Sequence, residues 1–241
     1  MRPADAILYL DDRTTGLLLD RLDPVRTVAR ALAGPPPDGL RTCRTGDVTV
    51  VATAPGGPVL SLVSSPSLRR LPLACVVAAL TRALVHRRVP LVGLLGDARC
   101  EAVYLRPLVA VLPPGSQVTI CRPGPAPTVS GPGRPDVTRR RGGVEVTVTR
   151  AVSEALRGAD LVVVTTVPPV GLDPAWPATG AALLDVTGIA AAVRSDGPVF
   201  PLWPGLSHRV TRAQVEIATT ALAGEVYREA VETGVGSWLP R

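Results

Sequence analysis

Lysine is absent from this sequence, and all 26 of its basic residues are arginine. Without lysine, no side chain can form a Schiff base with a carbonyl substrate or act as an ammonium acid. Mechanisms that need either group are excluded. Aromatic residues are also scarce, at 3% of the chain, which leaves little surface on which nucleic-acid bases could stack. The net charge of +6 would suit acidic ligands, but the arginines are dispersed except at 139–141, and we do not expect a nucleic-acid partner.

Histidine and cysteine are scarce too, with two and four residues respectively. The cysteines, Cys43, Cys75, Cys100 and Cys121, form no C-x-x-C pair, so no metal site is expected. No apolar run is long enough to cross a bilayer, and acidic residues stand early in the chain where a signal peptide would need an apolar segment. We therefore expect a cytoplasmic protein with reduced thiols and no membrane partner.

The clearest pattern that the chain does contain is a strand, a turn, a helix and a second strand. Hydrophobic residues make up 46% of the 241 residues, enough for the core of one large or two small domains. Residues 89–95 form a short apolar run, Gly96 interrupts it, residues 100–111 have a helical pattern, and residues 118–121 form a second apolar run. This order is typical of a β-α-β unit and predicts a parallel sheet.

Other segments supply the elements around this unit. Fully apolar runs at 161–167 and 181–186 are typical of strands buried in a parallel sheet. A long apolar segment at 73–86 predicts a buried helix, and a helix is predicted at 211–233. Residues 122–143, rich in Pro, Gly and Arg, predict a mobile loop.

The turn that follows the first of these strands has part of a dinucleotide-binding pattern. Such a turn needs one glycine for the sharp bend and a second that lets the backbone approach a pyrophosphate at the helix N-terminus. Gly96 can serve as the first, whereas Ala98 stands where the second should be, and Asp97 adds a negative charge beside Arg99. Two interpretations stay open, namely a turn that binds a dinucleotide and a turn that keeps the fold without the ligand.

Four polar residues are further candidates. Arg122 follows the second strand, where an arginine favours the 2′-phosphate of NADP over the free hydroxyl of NAD. Asp185 lies inside an apolar run, and a buried carboxylate must be paired or have a perturbed pKa. His208, in the segment before the last helix, could donate a proton, while His86 is better explained as a helix C-terminal cap. The candidate catalytic residues are therefore Asp185 and His208.

Separated stretches, in order along the chain, carry a family resemblance. They are residues 7–12 with the leucine-rich helix after them, 73–84, 96–116, 144–168 and the closing 225–236. Together they resemble a divergent, shortened member of the ornithine cyclodeaminase and mu-crystallin family. The likeness reaches both ends of the chain.

The resemblance implies a two-domain α/β fold. Residues 73–204 would form a Rossmann-type domain that binds NAD or NADP, with Gly96, Asp97, Ala98, Arg99 and Arg122 at the cofactor. Residues 1–72 and 205–241 would form a reduced α+β domain for substrate binding and dimerisation. Members of the family are homodimers whose reactions pass through an imine.

The sequence also departs from the family pattern. The family's substrate-binding lysine is missing, and the arginine that holds the substrate carboxylate falls near Pro72, with Arg69 and Arg70 as replacements. The family's G-x-G-x-Q turn has become residues 96–100, and its acidic residue falls near Ile189. The scaffold resembles the family more closely than the chemistry does.

Two functional hypotheses follow. The first is an NAD(P)H-dependent oxidoreductase that acts on an imine or amino-acid-like small molecule, with Asp185 or His208 handling the proton, because an imine acceptor needs hydride delivery and one acid. The second is a pseudoenzyme that serves as a dimeric scaffold or binds a protein partner in a biosynthetic pathway.

Overall fold

The computed structural model describes residues 6–34, 39–54, 56–96, 100–122, 137–166, 172–173, 175–187 and 205–240. They form eighteen elements: β1 (Ala6–Leu10), α1 (Asp12–Arg21), α2 (Pro24–Ala33), β2 (Leu40–Thr45), β3 (Val48–Thr53), β4 (Val59–Ser64), α3 (Pro66–Leu84), β5 (Leu91–Leu95), α4 (Cys100–Val111), β6 (Gln117–Cys121), β7 (Val137–Arg141), β8 (Val144–Thr149), α5 (Val152–Leu156), β9 (Leu161–Val164), β10 (Ala182–Asp185), β11 (Ser207–Arg209), α6 (Arg212–Thr233) and β12 (Ser237–Pro240). No helix among the described residues is long and apolar enough to span a membrane.

The chain divides into two compact units. The first unit comprises Met1–Ala79 and Arg212–Arg241, and the second comprises Leu80–Thr211. Residue 72, after which we predicted this boundary, and Ala79, where this segment of the first unit ends, both lie within α3. The later boundary falls directly before α6, so the segment with β11 goes to the second unit.

A five-stranded sheet organises the first unit, in the order β12-β1-β4-β3-β2. Burial alternates along β1, where Ala6, Leu8 and Leu10 are buried and the residues between them are half-buried. This alternation is typical of a sheet with one face on the core. The core face meets α6, because the hydroxyl of Thr42 on β2 lies 2.8 Å from that of Thr220.

A seven-stranded sheet organises the second unit, in the order β11-β10-β9-β5-β6-β8-β7. Every pair of neighbours is parallel except β7 with β8. All residues of β9 and β10 are buried, as parallel strands covered on both faces require. The predicted α/β fold with a Rossmann-type domain is confirmed.

The strand order in this sheet reverses direction once. From β5 the chain proceeds outward through β6 to β8, and then returns to the other side of β5 to form β9, β10 and β11. The neighbouring strands β5 and β9 therefore form a topological switch point, where open α/β sheets place their ligands at the carboxyl ends of the strands.

One prediction about local structure is wrong. Residues 137–141, which we assigned to a mobile loop, form the edge strand β7, paired antiparallel with β8 through the turn at Gly142 and Gly143. Both glycines have positive φ, at 54° and 80°, a conformation that favours glycine. The Gly-Gly pair was the available hairpin signal.

Candidate functional site

The carboxyl end of β5 is held from both sides at the switch point. The amide of Gly96 donates to the carbonyl of Cys121 at 3.3 Å. On the other side, the amide and the hydroxyl of Thr165 donate to the carbonyl of Leu95 at 2.9 Å and 3.0 Å. Gly96 directly follows β5 and is buried, and its role as the first glycine of a dinucleotide-binding turn stays a prediction. The predicted cofactor-binding residues Asp97, Ala98 and Arg99 lie outside the described residues.

Arg122 lies at the adjacent strand end and forms an ion pair. Its Nη2 donates to Oε2 of Glu101, in the first turn of α4, and Nη1 of Arg139 on β7 lies 3.8 Å from Oε1 of Glu101. The backbone amide of Arg122 donates to the carbonyl of Thr149 at 2.9 Å. A carboxylate in the first turn of a helix is stabilised by the helix dipole. The guanidinium that we assigned to a nucleotide phosphate therefore already contacts an anion of the chain.

Asp185 ends β10 at the same edge of the sheet, and its carboxylate is buried. Oδ1 accepts hydrogen bonds from the amide and the hydroxyl of Thr187, at 3.0 Å and 2.7 Å. Oδ2 accepts one from Nε of Arg209 on β11, at 3.0 Å. A carboxylate with two neutral donors and one guanidinium around it is a satisfied acceptor, which explains how the charge is tolerated in an apolar strand.

His208 lies on β11, opposite Leu184 in the register, whereas Arg209 lies opposite Asp185. Successive side chains of a strand point to opposite faces of the sheet. His208 is half-buried. The two candidate catalytic residues therefore occupy adjacent strands but leave the sheet from opposite faces, and the fold does not bring them together.

Arg69 and Arg70 belong to the other unit, on the exposed side of the first turns of α3. Nη1 of Arg69 lies 3.3 Å from Oδ1 of Asp47, and both side chains are more than half exposed, at 55% and 64%. An ion pair this exposed contributes little to stability. The assignment of both arginines to a substrate carboxylate stays a prediction.

Metal chemistry finds no support among the described side chains. No group of three or more His, Cys, Asp or Glu residues comes together there as a metal site would require. The buried thiols are poor ligands as well, since burial raises the pKa of Cys75 to about 12 and that of Cys121 to about 11. Thiolate, the form that binds metals, is disfavoured at both.

Comparison with known proteins identifies the fold. Solved structures match along nearly the whole chain, among them a Δ1-pyrroline-2-carboxylate reductase of Thermococcus litoralis in complex with NADH and L-proline, at 13% identity over 96% of this chain and 99% of that one, with a TM-score of 0.62. A probable ornithine cyclodeaminase of Bordetella pertussis matches at 16% identity over 98% and 100% of the two chains, with the same TM-score of 0.62. The iminosuccinate reductase of Paracoccus denitrificans in complex with NAD⁺ matches at 14% identity over 98% and 100%, again with a TM-score of 0.62.

This chain has the fold of ornithine cyclodeaminase-like proteins. No protein-family model matches the sequence, and no curated protein matches it either. The predicted resemblance therefore stands on the fold, at sequence identities that carry no residue role across.

Three residues of this site were missed at the level of sequence. Glu101 could have been suspected from its place in the first turn of the helix after Gly96, where a carboxylate meets the helix dipole. Arg209 and Thr187 had no sequence signal, because the contacts of Asp185 with a neighbouring strand depend on the register of β10 and β11. A buried aspartate predicts a partner but does not identify it.

Proposed function

We propose that this protein is an NAD(P)H-dependent oxidoreductase that acts on an imine or an amino-acid-like substrate. The observation that carries the proposal is the switch point between β5 and β9, with Gly96 buried at the end of β5 and α4 beginning at Cys100. This is the place at which a doubly wound sheet binds a dinucleotide. The structural neighbours add support, since those solved with NADH or NAD⁺ include a Δ1-pyrroline-2-carboxylate reductase, an archaeal alanine dehydrogenase and an iminosuccinate reductase.

The described residues fit a dinucleotide in two respects. Gly96 has no side chain at the bend that precedes the helix N-terminus, where a pyrophosphate would meet backbone N–H groups. Arg122 stands where the adenosine ribose would lie, and its Nε is buried without an acceptor among the described residues. A bound NAD(P)H would supply the hydride, and the chain has to bind the substrate and provide one proton.

We assign the proton to His208, because imidazole is the most frequent proton donor among catalytic side chains. The three donors around Asp185 are matched to an ionised carboxylate, which accepts hydrogen bonds and has no proton to give. We assign Asp185 the role of a positioning residue that fixes Arg209 at the carboxyl edge of the sheet.

The first experiment is a titration of the purified protein with NADH and NADPH, followed by fluorescence and thermal shift. Ligand at one hundred times its Kd stabilises the native state by about 2.7 kcal/mol, so a shift should be visible. Gly96→Val should abolish it by placing a branched side chain at the bend. Gly16→Val is the matched control, because a Cβ on Gly16 would meet no atom within 4 Å. If neither nucleotide changes the fluorescence or the melting temperature, the proposal is wrong and a role as a scaffold would have to be tested instead.

The second experiment assigns the proton. With a cyclic imine acid as substrate, His208→Gln should lower kcat, because it removes the proton donor. Asp185→Asn should instead lower the melting temperature and change kcat little, since it removes the charged partner of Arg209. A loss of kcat in Asp185→Asn alone would reverse the two roles.

We also propose that the protein is a homodimer that pairs through the sheet of the first unit. The sheet face opposite α6 carries Ile7, Tyr9, Val50 and Leu62 as half-buried apolar side chains on three neighbouring strands. These side chains support the proposal, because contiguous apolar surface is a common feature of contacts between chains. Leu62→Glu should therefore shift the sedimentation coefficient to that of a monomer. Leu17 on α1 is 60% exposed, and Leu17→Glu should leave the sedimentation coefficient unchanged. A wild-type protein that sediments as a monomer would contradict the proposal.

A further inference from the structure

The ion pair between Glu101 and Arg122 occupies the corner of the site where the adenosine ribose of a dinucleotide belongs. Arg122 directly follows β6, the second strand of the β5-α4-β6 unit, and this strand end meets the ribose 2′-oxygen in dinucleotide-binding domains. Glu101 reaches it from the first turn of α4. The Glu101 side chain is 16% exposed and that of Arg122 is 39% exposed. The carboxylate of the pair is therefore largely enclosed, while the guanidinium stays accessible to a ligand from solvent.

The ligand preference of this corner depends on whether the ribose 2′-substituent contacts the positive charge of Arg122 or the negative charge of Glu101. A free arginine here would bind the 2′-phosphate of NADPH through a charge-assisted pair of hydrogen bonds. In this chain the Nη2 of Arg122 already donates to Glu101, and Glu101 also has Arg139 3.8 Å away. A 2′-phosphate would have to approach the Glu101 carboxylate, and two like charges at close range repel strongly in a partly buried site. A neutral 2′-hydroxyl has no such conflict, because it can donate to a carboxylate.

We propose that Glu101 is the specificity-determining residue that makes this site prefer NADH to NADPH. The inference rests on the proposed function, and it reverses the preference expected from Arg122 alone. The same geometry predicts the effect of neutralising Glu101. Without its negative charge, the two guanidinium groups of Arg122 and Arg139 make this corner positively charged. Removal of that one charge should therefore turn a site that rejects the 2′-phosphate into one that binds it.

The test compares nucleotide affinities in the wild type and in Glu101→Gln by isothermal titration calorimetry. The wild type should bind NADH at least tenfold more tightly than NADPH, a ratio that corresponds to ~1.4 kcal/mol. Glu101→Gln should improve NADPH binding by about tenfold or more, again ~1.4 kcal/mol, with little change for NADH. The fragments 5′-AMP and 2′,5′-ADP should show the same pattern, since they carry the two forms of the ribose corner without the nicotinamide.

Two further variants make the result specific. Glu145→Gln removes an equal charge from the start of β8, at the opposite edge of the sheet, and should leave the NADPH to NADH ratio unchanged. Arg122→Gln added to Glu101→Gln should abolish the gain in NADPH affinity. If Glu101→Gln does not fold, the wild-type ratio and the fragment pair still decide the matter.

The outcomes separate this inference from the function on which it rests. A wild type that binds NADH, but prefers NADPH or keeps its ratio in Glu101→Gln, overturns the role of Glu101 and leaves the proposed function standing. A protein that binds neither nucleotide in any variant overturns both. A gain in NADPH affinity that Glu145→Gln reproduces would trace the effect to net charge and also overturn the assignment.

Discussion

The sheet of the second unit is buried on both faces, whereas the sheet of the first unit is buried on one. This difference determines which parts of each sheet remain accessible. In the second unit β9 and β10 are buried at every residue, so no face of these strands is left for a ligand. In the first unit β1 alternates between buried and half-buried residues, and β3 does so as far as the irregularity at Val51 and Ala52. The fully covered sheet can offer a ligand only its strand ends, where Gly96, Arg122 and Asp185 lie, whereas the half-covered sheet has the face to which we assign the proposed contact with a second chain.

Equivalent truncations in the two sheets test this contrast most strongly. Leu94 on β5 is fully buried, and Leu94→Ala should cost ~2–5 kcal/mol because it leaves a cavity in a close-packed interior. Leu62 on the open face of the first sheet is half-buried, and Leu62→Ala should cost clearly less at concentrations where the protein is monomeric. Calorimetric unfolding of both variants gives the two values. Equal losses of unfolding free energy in the two variants would contradict the difference in burial between the two sheets.

Alanine substitutions at two glycines, one in each unit, should change the free energy of unfolding in opposite directions. A Cβ on Gly93 of β5 would lie 2.5 Å from the carbonyl oxygen of Ala155 at α5, and overpacking of this kind costs ~1–3 kcal/mol or more. A Cβ on Gly16 of α1 would meet no atom within 4 Å, so Gly16→Ala should raise helix propensity and stabilise by ~0.5–1 kcal/mol. Denaturant midpoints measure both. A stable Gly93→Ala would show that α5 can move away from the sheet.

The smallest predicted effect concerns pH. Burial, with a further contribution from the negative charge of Glu154, raises the pKa of Cys121 from its ordinary value of 9.0 to about 11. The thiol is favoured in the folded state, so its contribution to stability is complete below pH 9 and is lost as the pH rises towards 11. Cys121→Ala should therefore flatten the loss of stability between these values. Cys43→Ala, at an exposed position on β2, should leave that slope unchanged.

The covered sheet could be predicted from the sequence, and the half-covered one only in part. Apolar runs such as 161–164 have few alternatives to a buried strand, and their spacing with the helix at 100–111 fixed the parallel arrangement. The strands β2 and β12 were not predicted. Leu40–Thr45 is mostly polar and exposed, and Ser237–Pro240, with four residues, is too short to show a pattern. Edge strands are stabilised by pairing with a neighbour, which a local pattern does not contain.

The candidate site shows the same limit. Gly96, Arg122 and Asp185 were recognisable because glycine after a strand, arginine at a strand end and aspartate in an apolar run are each unusual in their local context. Their partners Glu101 and Arg209 come from other elements, and only the fold brings them together. The charge of Arg122 was therefore interpreted without the carboxylate that forms an ion pair with it.

Hydrogen exchange with and without NADH tests the central claim most directly, namely that the strand ends of the second unit bind a dinucleotide. Our account predicts that NADH slows exchange at the amides between Leu95 and Glu101 and around Arg122, while the strands β2 to β4 of the first unit keep their rates. Exchange that stays unchanged at the end of β5 and the start of α4 under saturating NADH would contradict it.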